Sequence, residues 1–244
     1  MRIGLIADIH GNLPALSQVL EELDGRRVDL VLCAGDLVCY GADPNGVIGV
    51  LRERHVACVA GNYDAAIAWD RAAASVKPSS PANEPLKRAA LLWTKEHVTP
   101  GNKKFLRSLP WTMQYNLEGV RLFVLHAGLD SLDEWIAPDN AQGVADLAMR
   151  IGADVIVLGH THAACEYTCR GVCFVNPGAV GRSLDRDPRA AYAVLDLDHR
   201  RAEFYRVDYD LGAAVREIED SGMPREIAAL VRCGARRIEE IMVI

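Results

Sequence analysis

His160 and His162, one residue apart in Gly159-His160-Thr161-His162, place two imidazoles at the end of the apolar run Val155-Ile156-Val157-Leu158. Asp8 and His10 repeat that spacing after Ile3-Gly4-Leu5-Ile6-Ala7. Three further apolar runs end in similar groups: Asp36 in Gly35-Asp36, Asn62 in Gly61-Asn62-Tyr63-Asp64, and His126 after Phe123-Val124-Leu125. Carboxylates, imidazoles and one amide suit borderline divalent ions such as Mn, Fe, Ni, Co or Zn, whereas Ca and Mg prefer all-oxygen shells. One ion would use about half of these groups; two ions roughly 3.5–4 Å apart would use them all if Asp36 bridged. The chemistry open to such a centre is activation of a bound water and neutralisation of negative charge on a substrate.

To converge, these residues must leave the C-terminal ends of strands, where open α/β sheets place their ligand crevices. The first half of the chain alternates short apolar strands with amphipathic helices, the pattern of βαβ units. It predicts strands at residues 3–7, 30–34 and 57–60, with helices over 13–23 and 46–54. Residues 65–109 read as helical, interrupted at Lys77-Pro78-Ser79-Ser80-Pro81 before a helix from about 84 to 97. This is a helical insertion after the third strand, placed to cover the site. A hairpin follows, with strands at 112–117 and 120–125 turning at Glu118-Gly119. A helix over 142–150, the strand before Gly159, and strands at 166–169, 172–175, 191–197 and 202–207 come next. Helices within about 211–244 close the chain, which at 244 residues reads as a single domain.

With its motifs in the order Asp8-x-His10, Gly35-Asp36-x-x-x-x-Gly41, Gly61-Asn62-x-Asp64, His126, Gly159-His160-x-His162 and Asn176-Pro177-Gly178-Ala179-Val180-Gly181, the chain resembles the calcineurin-like metallophosphoesterases, in particular their small bacterial and archaeal phosphodiesterase branch. The resemblance implies a four-layer αββα sandwich. It also implies two divalent ions, with manganese the leading choice. Asp8, His10, Asp36 and His162 would hold one, and Asp36, Asn62, His126 and His160 the other. The implied function is hydrolysis of phosphodiester, phosphomonoester or pyrophosphate bonds of a small, nucleotide-type substrate by a metal-bound hydroxide. Asn62, Tyr63 and Asp64 fall on the catalytic loop. Many relatives carry His where this chain has Tyr63, and a phenol with an ordinary pKa near 10 is a poorer proton donor at neutral pH. Substrates with good leaving groups are therefore favoured.

Asn12 and Arg182 are the expected substrate contacts, Arg182 because a guanidinium can grip a phosphate bidentately. The Trp93 and Trp111 pair is a further candidate, for stacking a base. A net charge of −6 and scattered Lys and Arg lack the footprint of a nucleic-acid binder. No apolar run reaches membrane-spanning length, and Met1-Arg2 leads straight into a strand, so a cytoplasmic location and no membrane partner are expected. Seven cysteines suit no even disulfide framework; Cys33, Cys39 and Cys58 read as core, and Cys165, Cys169 and Cys173 as parts of a hairpin turning at Arg170-Gly171. The competing function is a weak or inactive metal-binding interaction scaffold.

Overall fold

The strand-forming runs of the first half pair as predicted in the computed structural model, which describes residues 1–72 and 80–241. In chain order the elements are β1 (Arg2–Ile6), α1 (Leu13–Gly25), β2 (Leu30–Cys33), α2 (Pro44–Glu53), β3 (Ala57–Cys58), α3 (Asn62–Ala68), α4 (Asn83–His97) and α5 (Pro100–Ser108). There follow β4 (Thr112–Leu117), β5 (Val120–Leu125), α6 (Ala141–Ile151), β6 (Val155–Val157), β7 (Cys165–Cys169), β8 (Val172–Asn176), β9 (Ala190–Asp196), β10 (Arg201–Val207), α7 (Leu211–Asp220) and α8 (Arg225–Cys233). Residues 77–79 of the Pro/Ser-rich break lie outside the described residues.

One sheet has the strand order β10-β9-β1-β2-β3 and the other β4-β5-β6-β8-β7. β1, β2 and β3 run parallel, as do β5, β6 and β8, so the C-terminal ends within each set share an edge. Leu5 and Leu32 of the first sheet and Val124, Val157 and Val175 of the second meet in one buried cluster between the sheets. On the outer face of the first sheet, Ile6 and Val194 pack with Leu16 and Val19 of α1, Ile48 of α2 and Ile227 of α8. On the outer face of the second, Ile156 and Phe174 pack with Val144 and Leu147 of α6. The result is four layers, helix, sheet, sheet, helix, as the motifs implied.

Caps set several helix starts. Asn12, Asp43, Thr99 and Asn140 accept from the backbone three residues on, and Pro44 and Pro100 occupy first turns where a missing N–H costs nothing. α3 begins at Asn62, three residues earlier than the sequence pattern suggests. Asp64 in its first turn accepts from Gly61 N at 2.9 Å, which closes the helix one turn sooner. Both hairpins turn as predicted, with Glu118-Gly119 and Arg170-Gly171 left-handed at both central positions. The second carries Cys165, Cys169 and Cys173 as free thiols.

The tail is fastened to the segment between β3 and β4. Asn83 of α4 is buried, donates to Arg236 O at 2.9 Å and accepts from Ile238 N at 3.1 Å. No helix among the described residues is long and apolar enough to cross a membrane.

Candidate metal centre

Past its last strand pair, β1 turns through Asp8 and His10, and both residues are left-handed, with φ of 54° and 51°. Asp36 after β2 and His160 and His162 after β6 are left-handed too. Non-glycine residues in that region cost of order 1 kcal/mol each and persist where the surroundings over-determine them. Here cross-loop bonds do so: Asp8 N donates to Gly35 O, His10 N to Asp36 O and Gly41 N to His10 O. The motif glycine Gly41 has a steric reason, since a Cβ there would lie 2.5 Å from the carbonyl of Gly11.

These turns bring seven residues from five strand ends together. His162 Nε2 is 3.4 Å from Asp8 Oδ1, His10 Nε2 is 3.8 Å from Asp36 Oδ2, and His126 Nε2 is 3.5 Å from Asp36 Oδ2. Asn62 Oδ1 lies 2.9 Å from His126 Nε2 and 3.2 Å from His160 Nδ1. Two groups have ligand atoms mutually close enough for one ion each, Asp8-His10-His162 and Asp8-Asp36-His126. Asp8 thus belongs to both, while Asp36 also reaches imidazoles on both sides.

The second nitrogen of each ring decides what the first can do. His10 Nδ1 faces Val38 O at 3.3 Å, and His162 Nδ1 faces Arg182 O at 2.6 Å; a carbonyl accepts only from N–H, which leaves both Nε2 atoms as lone pairs. Those lone pairs face each other at 3.2 Å. His126 Nδ1 likewise faces Ala34 O at 2.7 Å, leaving Nε2 towards the amide oxygen of Asn62. Asp8 Oδ2 is buried without a hydrogen-bond partner among the described residues. Clustered acceptors with few donors fit divalent cations, and carbonyl-held imidazoles are the usual orientation for metal-ligating histidine.

Protonation agrees with this. Burial lowers His10 to about 4 and, with the neighbouring His126, His160 to about 3; burial and His10 hold His162 well below its ordinary value. All three are neutral near pH 7 and ready to ligate. Burial would also lower His126, but the charge and hydrogen bond of Asp36 outweigh it and raise His126 to about 9. Burial likewise opposes ionisation of Asp36, yet His126 and His10 leave its pKa below the ordinary range. A cation bound by His126 must therefore displace a proton. Burial, with the charge of Asp36, pushes Asp8 well above the ordinary carboxylate range.

The centre forms one wall of a cavity of about 600 Å³. Tyr63 lines it, its hydroxyl 2.6 Å from that of Tyr40, and burial pushes its pKa well above the ordinary value. Arg182 lines it too, only 8% exposed, its guanidinium 4.2 Å from the Tyr40 ring centroid and its Nε without a partner. Asp64 does not face the cavity: its carboxylate accepts from the amides of Leu37, Val38 and Gly61 and so ties the Asp36 loop to α3. Burial and the charge of Asp36 raise it to about 7 against those three donors. Asn12 is not among the lining residues, because its side chain caps α1 and donates to Gly181 O and Tyr209 Oη. Trp93 is also elsewhere, stacked on His97 and donating to Ser221 O, and Trp111 does not line the cavity. Pattern reading missed Tyr40, Asn83, Lys87, Asp133, Trp135 and Arg236, all of which line the cavity. A usable signal existed for Asp133 and Trp135, which lie in the long loop leaving β5 beyond His126.

Fold and centre together place the chain among the metallophosphoesterase α/β sandwiches. It belongs to the calcineurin-like phosphoesterase superfamily, whose domain model matches residues 1–200. The chain is 30% identical over 239 residues to an uncharacterized protein of Methanocaldococcus jannaschii, covering 91% of this chain and 93% of the relative. It is 27% identical over 208 residues to phosphodiesterase YfcE of Escherichia coli K12, covering 81% and 89%. A metallophosphoesterase from Sphaerobacter thermophilus superposes with a TM-score of 0.76 at 28% identity, covering 96% of this chain and 99% of that one.

Proposed function

We propose that the protein is a dinuclear-metal phosphoesterase acting on phosphodiester, phosphomonoester or pyrophosphate bonds of small molecules, with aryl or nucleotide leaving groups. The observation that carries this reading is the 3.2 Å approach of His10 Nε2 to His162 Nε2, each ring facing a backbone carbonyl at Nδ1, beside Asp8 Oδ2, which has no hydrogen-bond partner among the described residues. Likeness to an E. coli phosphodiesterase supports the diester choice. Asp8, His10, Asp36, Asn62, His126, His160 and His162 would hold the ions, manganese being the leading candidate. Divalent cations supply charge to phosphoryl oxygens and lower the pKa of water.

The other groups orient and neutralise. Arg182, held against Tyr40, offers guanidinium N–H groups to a phosphoryl oxygen as charge builds there. In the Tyr40–Tyr63 pair one hydroxyl donates to the other, which leaves the second proton free to point at a bound ester. With both phenols pushed up by burial, neither readily gives a proton away. The reaction then relies on leaving groups stable as anions. Asp64 holds the Asp36 loop against α3 and is a positioning residue.

The test is metal-stripped protein refilled with Mn and assayed on bis(p-nitrophenyl) phosphate and p-nitrophenyl phosphate, with metal counted per chain. Two ions with Mn-dependent turnover are expected, faster on the diester. Two ions without turnover on either ester would favour the scaffold instead.

A further inference from the structure

Beside the metal centre, the cavity wall comes from segments distant in sequence. Trp135, in the loop after β5, has its ring 6.3 Å from that of His160. Its indole N–H donates to Asp139 Oδ1 at 3.1 Å and its carbonyl accepts from Asn140 Nδ2 at 2.7 Å, so the ring plane is held. The guanidinium of Arg236 lies over that ring, 5.3 Å from its centroid. Among the described residues no carboxylate pairs with this guanidinium, although the chain carries a net charge of −6. Lys87 of α4 also lines the cavity; among the described residues its ion pair is with exposed Glu84 at 3.3 Å, a contact of the kind worth little in water, and its charge also acts on Asp133 of the same cavity. The buried Asn83 clamp on Arg236 O ties α4 and the tail together, and each contributes one of these cations to the same cavity.

We infer that Arg236 and Lys87 form a second anion subsite, stacked on Trp135, and that the substrate carries a second phosphate or carboxylate remote from its reacting phosphoryl group. Arg182 serves the inner end, beside His162, and Arg236 the outer end. Trp135 lines the same cavity, and its flat ring suits a ring or sugar joining the two anions. The subsite itself is a matter of charge and geometry; only the statement of which end reacts rests on the phosphoesterase reading.

The experiment uses the full chain refilled with Mn and three probes that cannot be hydrolysed: phenylphosphonate, 4-phosphonobenzoate and 1,4-phenylenebisphosphonate, with affinities measured by calorimetry. At least one doubly anionic probe is expected to bind about tenfold more tightly than phenylphosphonate, the gain of one charge-assisted contact. The better of the two identifies phosphate or carboxylate as the outer group. Arg236→Ala and Lys87→Ala should each shrink that advantage, and Arg236→Lys should restore part of what Arg236→Ala removes. Equal affinity for all three probes in the wild type, or an advantage unchanged in both alanine variants, would overturn the subsite. Turnover of bis(p-nitrophenyl) phosphate is followed on the same wild-type preparation. Turnover without probe preference rejects the subsite alone, and preference without turnover keeps the subsite while rejecting the hydrolase.

Discussion

His10 and His162 show how a ligand set can be read from hydrogen-bond roles: each ring is held by a backbone carbonyl at Nδ1 and so offers Nε2 inward. The carboxylates are less symmetrical. Asp36 reaches His10 and His126, whereas Asp8 has one oxygen near His162 and one without a hydrogen-bond partner among the described residues, so on the proposed reading both could ligate. Asp36→Ala and Asp8→Asn should each leave fewer than two Mn ions per chain and reduce turnover at least about a hundredfold, the scale of a lost catalytic group. Metal analysis decides this directly, and two ions retained in Asp36→Ala would remove its bridging role. Tyr63→His restores a side chain that can donate a proton near neutral pH. Turnover of an alkyl phosphodiester should rise about tenfold or more while that of the aryl diester changes little. An unchanged ratio of the two rates would end the leaving-group argument.

At the scale of elements, the candidate site depends on loops that hold five of its residues in left-handed backbone. Apolar runs and terminal polar groups made the strand ends visible in sequence, because burial and alternation are local properties. The left-handed turns were not visible, since Asp and His tolerate that conformation better than most residues but do not demand it, and cross-loop bonds impose it. α3 illustrates the same limit: Asp64 is a cap in either description, but its bonds to Leu37 and Val38 N lie across the chain and turn its carboxylate away from the cavity. Gly61 is a tight joint beside Asp36. A Cβ there would fall on the Asp36 carboxylate oxygen and amide nitrogen, and backbone cannot give way as a flexible side chain can. Gly61→Ala should cost roughly 1–3 kcal/mol of stability and lower Mn affinity by displacing Asp36. Thermal melting and metal titration measure the two effects, and wild-type values for both would show the loop to be softer than its packing.

In the whole molecule, two sheets with a shared core place parallel-strand ends from different halves of the chain at one centre. That centre concentrates acceptors and buried carboxylates, so cations bound to the folded state alone should add stability. At a free Mn concentration a hundred times the dissociation constant, one site contributes about 2.7 kcal/mol. For a chain of this size that corresponds to a rise in Tm of roughly 5–10 °C. Scanning calorimetry of stripped and refilled protein tests it; a Tm indifferent to Mn would exclude tight binding to the native state.

Sequence alone determined which residues stand at the strand ends, in what order, and hence the class of fold, because strand, turn and cap signals span only a few residues. It named Asp8, His10, Asp36, Asn62, His126, His160 and His162, all of which converge. Only the tertiary structure decided that Asn12 caps α1 instead of facing the cavity, that Trp135 rather than Trp93 lines it, and that Arg236 and Lys87 line it together. These depend on contacts such as Asn83 to Arg236, which join residues 153 positions apart. No local pattern encodes a partner at that separation; it is set by which surfaces the packed layers leave facing one another.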